Sequence, residues 1–226
     1  HALSTSLDDL IARRVSFLVD YQDRAYAEGY RHVVEKVRAR EAEVSPGSTA
    51  LTEAVAKNLF KLMAYKDEYE VARLFAGAAF RKQLGDAFEG ENMRLTFHLA
   101  PPMMAKIDPS SGKPKKMSFG PWMMKAFGLL QRFKGLRGTA FDPFGYTAER
   151  KDERARIGRY RGGIEALLAG LDASRLPLAI EIAGLPEKIR GFGHVRAKNA
   201  AEADAREAEL VARFTAAGAA LRTAAE

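Results

Sequence analysis

The chain of 226 residues contains no cysteine. That excludes disulfides, a thiolate nucleophile, a cysteine-rich zinc site, and an iron–sulfur cluster held by this chain through the usual ligands. Histidine is scarce. His1, His32, His98 and His194 are scattered along the sequence, and no HExxH spacing is present to build a zinc-hydrolase helix. Glycine-rich nucleotide loops are missing as well. Gly112-Lys113 is followed by Pro114 and is no phosphate-binding loop. Gly191-Phe192-Gly193-His194 opens like a dinucleotide-binding turn but lacks the third glycine and a preceding strand. Gly135-Leu136-Arg137-Gly138 has the GxxG shape of a KH clamp without the elements that flank one. No stretch approaches the roughly 18 apolar residues that cross a bilayer, and no signal peptide is expected. The absence of disulfides fits a cytoplasmic protein, which is the expected location.

What is present is the make-up of an ordinary globular protein, with 47% hydrophobic and 29% charged residues. Lys and Arg number 36 against 29 Asp and Glu, a formal charge of +7 interleaved with many carboxylates. Such a balance favours an acidic partner without being a nucleic-acid signature in itself. The sequence opens His1-Ala2-Leu3-Ser4 without Met and runs directly into a helix signal. Either the chain was processed or it is a piece of something longer, and one mainly helical domain over 1–226 is expected.

Hydrophobic spacing predicts a mainly α fold. Leu7, Leu10, Ile11, Phe17, Leu18, Tyr21, Tyr26, Tyr30, Val33, Val34 and Val37 recur at three- and four-residue steps, the stripe of one long amphipathic helix. Ser6 with Asp8 and Asp9 is its start signal. Ser45-Pro46-Gly47-Ser48 breaks it. A second helix runs through Leu51, Val55, Leu59 and Met63 and continues or kinks through Tyr65, Tyr69 and Leu74, and a short helix covers Phe80 to Phe88. Near residues 93–119 the period changes to two. Met93 to Leu99 alternates, Asp108 to Pro114 is a turn signal, and Lys116 to Phe119 returns, which predicts a small β-hairpin. Pro121 and Trp122 open a helix through Met123, Met124, Phe127, Leu130 and Phe133, with Trp122 read as core. After a glycine-studded loop, Thr147 caps a long helix carrying Ile157, Tyr160, Ile164, Leu167 and Leu168. A shorter helix spans Leu176 to Leu185, Pro186 opens its successor, and an Ala-rich helix runs from about Val195 to Leu221. The tyrosines at 21, 26, 30, 65 and 69 are read as core rings with hydroxyls at the edge.

No catalytic residue is assigned, and no metal site. Three polar clusters are candidate anion or partner contacts. Arg94 and His98 share a strand face with Thr96, a pairing able to hold a carboxylate or phosphate, or simply a solvated sheet face. Arg137 and Arg150, with Arg132 and Lys134, surround the glycine-studded loop, which reads as a partner contact or as a structural connector. Lys188, Arg190 and His194, with Arg196 and Lys198, surround a second glycine turn, a contact or a solvated basic helix end.

Six strings carry a resemblance. They are Asp20-Tyr21-Gln22-Asp23 with Ala25-Tyr26-Ala27, Asn58 through Leu74, Phe97-His98-Leu99-Ala100-Pro101-Pro102, Phe119-Gly120-Pro121-Trp122, Asp142 through Arg150, and Leu185 through Val195. In this order, from about residue 7 to 215, they resemble the C-terminal, functionally uncharacterised domain of the large fused indolepyruvate ferredoxin oxidoreductases. The resemblance implies a parent of the thiamine-diphosphate-dependent 2-oxoacid:ferredoxin oxidoreductase class, which decarboxylates aryl pyruvates to acyl-CoA and reduces ferredoxin. It implies thiamine diphosphate, magnesium, iron–sulfur clusters and coenzyme A in the parent and no cofactor in this fragment. A GDG motif with a downstream Asn pair would be needed for the thiamine site, and no GDG occurs here. The resemblance makes the chain an accessory, C-terminal fragment, which is therefore expected to be inactive alone. Its expected partners are other domains or subunits of the parent, with ferredoxin or coenzyme A at the basic face through Arg137, Arg150, Lys188 and Arg190. No membrane partner is expected. A basic helical nucleic-acid-binding protein is the alternative.

Overall fold

The computed structural model describes residues 6–88, 94–99, 115–191 and 193–225. Among these residues stand nine α-helices and one two-stranded antiparallel sheet, so the fold is mainly α. The chain divides into two compact units, one from His1–Tyr65 with Lys151–Glu226 and the other from Lys66–Arg150.

The first unit begins with a break that periodicity misses. The stripe that predicts one helix is cut into α1 (Leu7–Tyr21) and α2 (Arg24–Val44). Asp23 is extended, and its carboxylate accepts from the Tyr26 N–H at 2.7 Å. A cap that satisfies an orphan donor outweighs an unbroken apolar pattern. Ser6 caps α1 as the sequence predicts, its hydroxyl accepting from the Asp9 N–H at 3.1 Å. Leu18, Tyr21, Tyr30, Val34 and Val37 are fully buried, so both helices direct the same stripe inward. The core is completed by α3 (Ala50–Met63), α7 (Ala148–Ala169), α8 (Leu176–Gly184), a short 3-10 helix (Leu185–Lys188) and α9 (Gly193–Ala225). The core tyrosines do more than pack. Tyr26 donates to the Met63 carbonyl at 3.0 Å, an acceptor left free at the end of α3, and Tyr21 donates to the Tyr65 carbonyl just beyond it at 2.8 Å.

The turn from α2 to α3 uses Gly47 at φ 87°. Thr49 occupies the N-cap of α3 but makes no side-chain cap bond. Glu41, fully buried one turn before the end of α2, does that work instead. Its carboxylate accepts from the Leu51 and Thr52 N–H groups at 2.9 and 2.8 Å, and from the Ser48 and Thr52 hydroxyls at 2.7 Å each. The helix dipole of α3 favours the negative charge there.

The second unit holds α4 (Glu68–Ala76), α5 (Ala78–Ala87), β1 (Phe97–Leu99), β2 (Met117–Phe119) and α6 (Met123–Leu130), which tightens into a 3-10 helix over Gln131–Leu136. The hairpin lies where the period of two predicts it, paired Phe97 to Phe119, His98 to Ser118 and Leu99 to Met117. Its strands are shorter than the alternating run, and the turn signal at Asp108 to Pro114 lies outside the described residues. The small core is aromatic. Phe75, Phe97 and Phe127 meet with ring centroids 5.3–5.4 Å apart. Trp122 is a correction to its core reading. It precedes the first turn of α6, meets Phe119 in a T-shaped contact with centroids 6.0 Å apart, and is 59% exposed.

Burial raises the Glu41 carboxyl pKa, but the hydroxyl bonds from Thr52 and Ser48 and the two backbone donors outweigh it, and the net direction is downward. A carboxyl lowered by folding stabilises the fold above its unfolded pKa and loses that contribution as pH falls through the folded value. Glu41→Gln should therefore cost about 2–3 kcal/mol near neutral pH by urea denaturation. The difference from wild type should shrink as pH falls below the ordinary glutamate range. A pH-independent difference would contradict the assignment of the charge.

Candidate functional site

A dense polar cluster belongs to the second unit, where the start of α4 meets the loop after the 3-10 helix. Asp67 is extended and caps α4, its Oδ1 accepting from the Glu70 N–H at 2.8 Å. The same carboxylate takes both prongs of a guanidinium. Arg137 Nε donates to Oδ2 at 2.6 Å and Arg137 NH2 donates to Oδ1 at 2.9 Å. The two side chains are 4% and 2% exposed. One buried carboxylate therefore caps the start of a helix and fixes a loop seventy residues away in sequence. A charge this deep is stable only when fully paired.

The loop is held by a second carboxylate. Asp142 Oδ2 accepts from the Gly138 N–H at 2.8 Å, and its Oδ1 accepts from the Phe144 N–H at 3.1 Å. Gly138 takes φ 75°, a left-handed conformation that a β-carbon disfavours. Tyr69, in the first turn of α4, donates its hydroxyl to Asp142 Oδ1 at 3.2 Å. The guanidinium carbon of Arg137 lies 5.5 Å from the centre of the Tyr69 ring, and Phe144 meets that ring edge-on at 5.3 Å. Burial, and next the Asp142 charge, push the Tyr69 hydroxyl far above its ordinary pKa, which makes it a hydrogen-bond donor and not a base.

Arg150 closes the same unit near its other end. Its NH2 group donates to the Lys66 carbonyl at 3.2 Å and lies 3.6 Å from Glu68 Oε1. Burial raises the Glu68 carboxyl pKa against the lowering effect of Arg150. Thr147 caps α7 as predicted, accepting from the Arg150 N–H at 3.3 Å.

The sequence groups Arg137 with exposed loop cations; the structure places it in the interior. An anion would have to displace Asp67 to reach it. Arg150 is mostly buried against backbone carbonyl and carboxylate. Arg94 and His98 are exposed on one face, as the alternation predicts, and His98 Nδ1 lies 3.0 Å from the Ser118 hydroxyl across the hairpin. In the first unit Lys188 is exposed, and Arg190 is bonded to its own turn through the Glu187 carbonyl at 3.0 Å and carboxylate at 2.9 Å. The His194 side chain lies outside the described residues. Sequence reasoning reads Tyr69 as a core ring and Asp142 as a turn residue, and misses Asp67 and the bonds that join all three to Arg137. Asp67 was legible as a helix-start pattern, Asp67-Glu68-Tyr69-Glu70, although Glu70 turns away to fork onto Arg73 at 2.8 Å. Among the described residues no group of three His, Asp or Glu could hold a metal ion.

The cluster is built to fix two chain segments together. Arg137→Met would leave Asp67 charged and buried and should lower stability by about 3–5 kcal/mol. Tyr69→Phe removes one donor from an Asp142 that keeps the Gly138 and Phe144 N–H groups, and should cost about 1 kcal/mol. Urea denaturation followed by circular dichroism measures both, and equal costs would contradict the ranking.

All six strings and this cluster fall within or overlap residues 7–209, the span over which the chain matches a family of unknown function (DUF6537). No curated protein and no solved structure matches the chain. With nearly its whole length inside that span, the chain belongs to the DUF6537 family.

Proposed function

We propose that this chain is a non-catalytic accessory or assembly domain of a 2-oxoacid (indolepyruvate) ferredoxin oxidoreductase. The resemblance of the six strings motivates the assignment to that parent. The observation that supports an accessory role is what those strings do. Asp67, Tyr69 and Asp142, all within them, spend their polar groups on one another, on Arg137 and on backbone donors. Residues arranged this way position chain segments and leave no nucleophile or base facing a substrate. The parent's thiamine diphosphate, magnesium, clusters and coenzyme A would be held by other parts of the parent, since this chain has neither cysteine nor a GDG motif. If ferredoxin or coenzyme A meets this domain, the exposed Lys188 and Arg190 suit it better than the buried Arg137.

A specific observation favours a second reading, a nucleic-acid-binding protein. Trp122, Phe133, Phe141 and Tyr146 are 59%, 48%, 80% and 62% exposed in a stretch rich in Lys and Arg. Salt-sensitive retardation of an oligonucleotide would support it.

The purified chain should show no turnover of indolepyruvate with ferredoxin and coenzyme A. Any such turnover would overturn the accessory role. The gene sequence upstream of His1 should encode a GDG motif with its Asn pair and a cysteine-rich cluster motif. Their absence from a gene read to its true start would overturn the parent assignment.

A further inference from the structure

The positive charge of this protein is concentrated in one place. Between Asp108 and Asp142 stand seven Lys and Arg and no acidic residue. Subtracting those seven from 36 leaves 29 cations against 29 carboxylates, so this stretch equals the whole formal charge of +7. Arg137 is committed to Asp67. Lys125 and Arg132 are exposed and have no ion pair among the described residues.

These two cations share a groove with Arg81 of α5, whose guanidinium donates to the Ala76 carbonyl at 3.2 Å and has no ion pair among the described residues. The groove has a volume of about 520 Å³, lies wholly in the second unit, and has apolar walls from Ala76, Met124 and Leu129. No carboxylate lines it among the described residues. Leu129 is 57% exposed at its edge. Trp122, Lys125, Leu129 and Arg132 recur at three- and four-residue steps, so α6 and the turn after it present a face both cationic and apolar. Globular surfaces seldom leave large apolar side chains such as Trp122 and Leu129 exposed on one face without a use for them. Arg, Trp, Met and Phe are the types enriched in protein contacts.

We propose that this groove docks an acidic segment of another protein, which sets carboxylates against Arg81, Lys125 and Arg132 and an apolar side chain against Met124 and Leu129. The charge selects the acidic partner, and the aliphatic walls select a polypeptide. Bases stack on aromatic faces; the groove lining has none, and the exposed Trp122 on the same face lies outside that lining. The cations are exposed ends of flexible side chains without a buried donor beside them, an arrangement that suits steering and a rim contact more than capture of a free phosphate. This docking goes beyond the accessory role and does not depend on the oxidoreductase parent.

The test uses the whole chain and a short fluorescein-labelled peptide of Glu and Asp with leucine anchors, read by fluorescence anisotropy. Saturable binding is expected, weakened about tenfold or more by the combined R81E, K125E and R132E substitutions and by raising salt into the range where the screening length falls below about 8 Å. Replacing the leucines of the peptide by serine, or Leu129→Ser in the chain, should also weaken it about tenfold. All four substituted positions are exposed, and unchanged circular dichroism and melting confirm that each variant folds. Absence of saturable binding, or equal binding by the charge-reversed chain, overturns the proposal. So does an oligothymidylate that binds more tightly than the peptide and is lost in the same variant. Turnover assays play no part, so failure here is separate from failure of the accessory role.

Discussion

The second unit depends on one buried ion pair. Asp67 has a carboxylate with enough acceptor capacity to cap the start of a helix and grip a guanidinium, and it does both. Remove the charge on either side and the other is stranded in a low-dielectric interior. The consequences spread through the chain. Arg137, once fixed, lies over the Tyr69 ring, Tyr69 reaches Asp142, and Asp142 sets the turn at Gly138. The glycine-studded loop is therefore ordered by charge and hydrogen bonding, with little apolar burial of its own.

The first unit uses a related device with one charge. Glu41 reaches from α2 to the start of α3 and supplies the cap that Thr49 does not. Tyrosine hydroxyls do the converse at the other end of α3, donating to a carbonyl that the helix leaves free at Met63 and to the Tyr65 carbonyl just beyond it. In both units, long-range polar bonds fix where helices stop and start, while apolar stripes fix which faces meet.

That division explains what the sequence revealed. The stripes through Leu18, Tyr30, Val34, Leu59 and Ile164 carry enough period to give the helices and the core, and the alternation from Arg94 to Leu99 gives the hairpin. The break at Asp23 was hidden because apolar spacing runs straight across it. Trp122 looked like core because a ring beside two methionines satisfies the pattern, yet it stands before the helix begins. Arg137 looked like a surface cation because its counter-charge lies at Asp67, beyond the reach of any local pattern. Glu41 was silent for the same reason. Exposed Arg94 and His98 follow from strand alternation alone, and their use does not.

The Asp67–Arg137–Asp142 cluster has the character of a fastening, and Lys125 and Arg132, exposed and without an ion pair among the described residues, lie elsewhere, in the α6 groove. That separation is the basis for reading the domain as a scaffold that presents a surface. Its most direct test is a double-mutant cycle between Asp67→Asn and Arg137→Met, measured by urea denaturation. Asn keeps the helix cap and removes only the charge. A direct, buried pair predicts that the double variant recovers part of the single losses, with a coupling energy of about 2 kcal/mol or more. Losses that add within about 0.5 kcal/mol would contradict it.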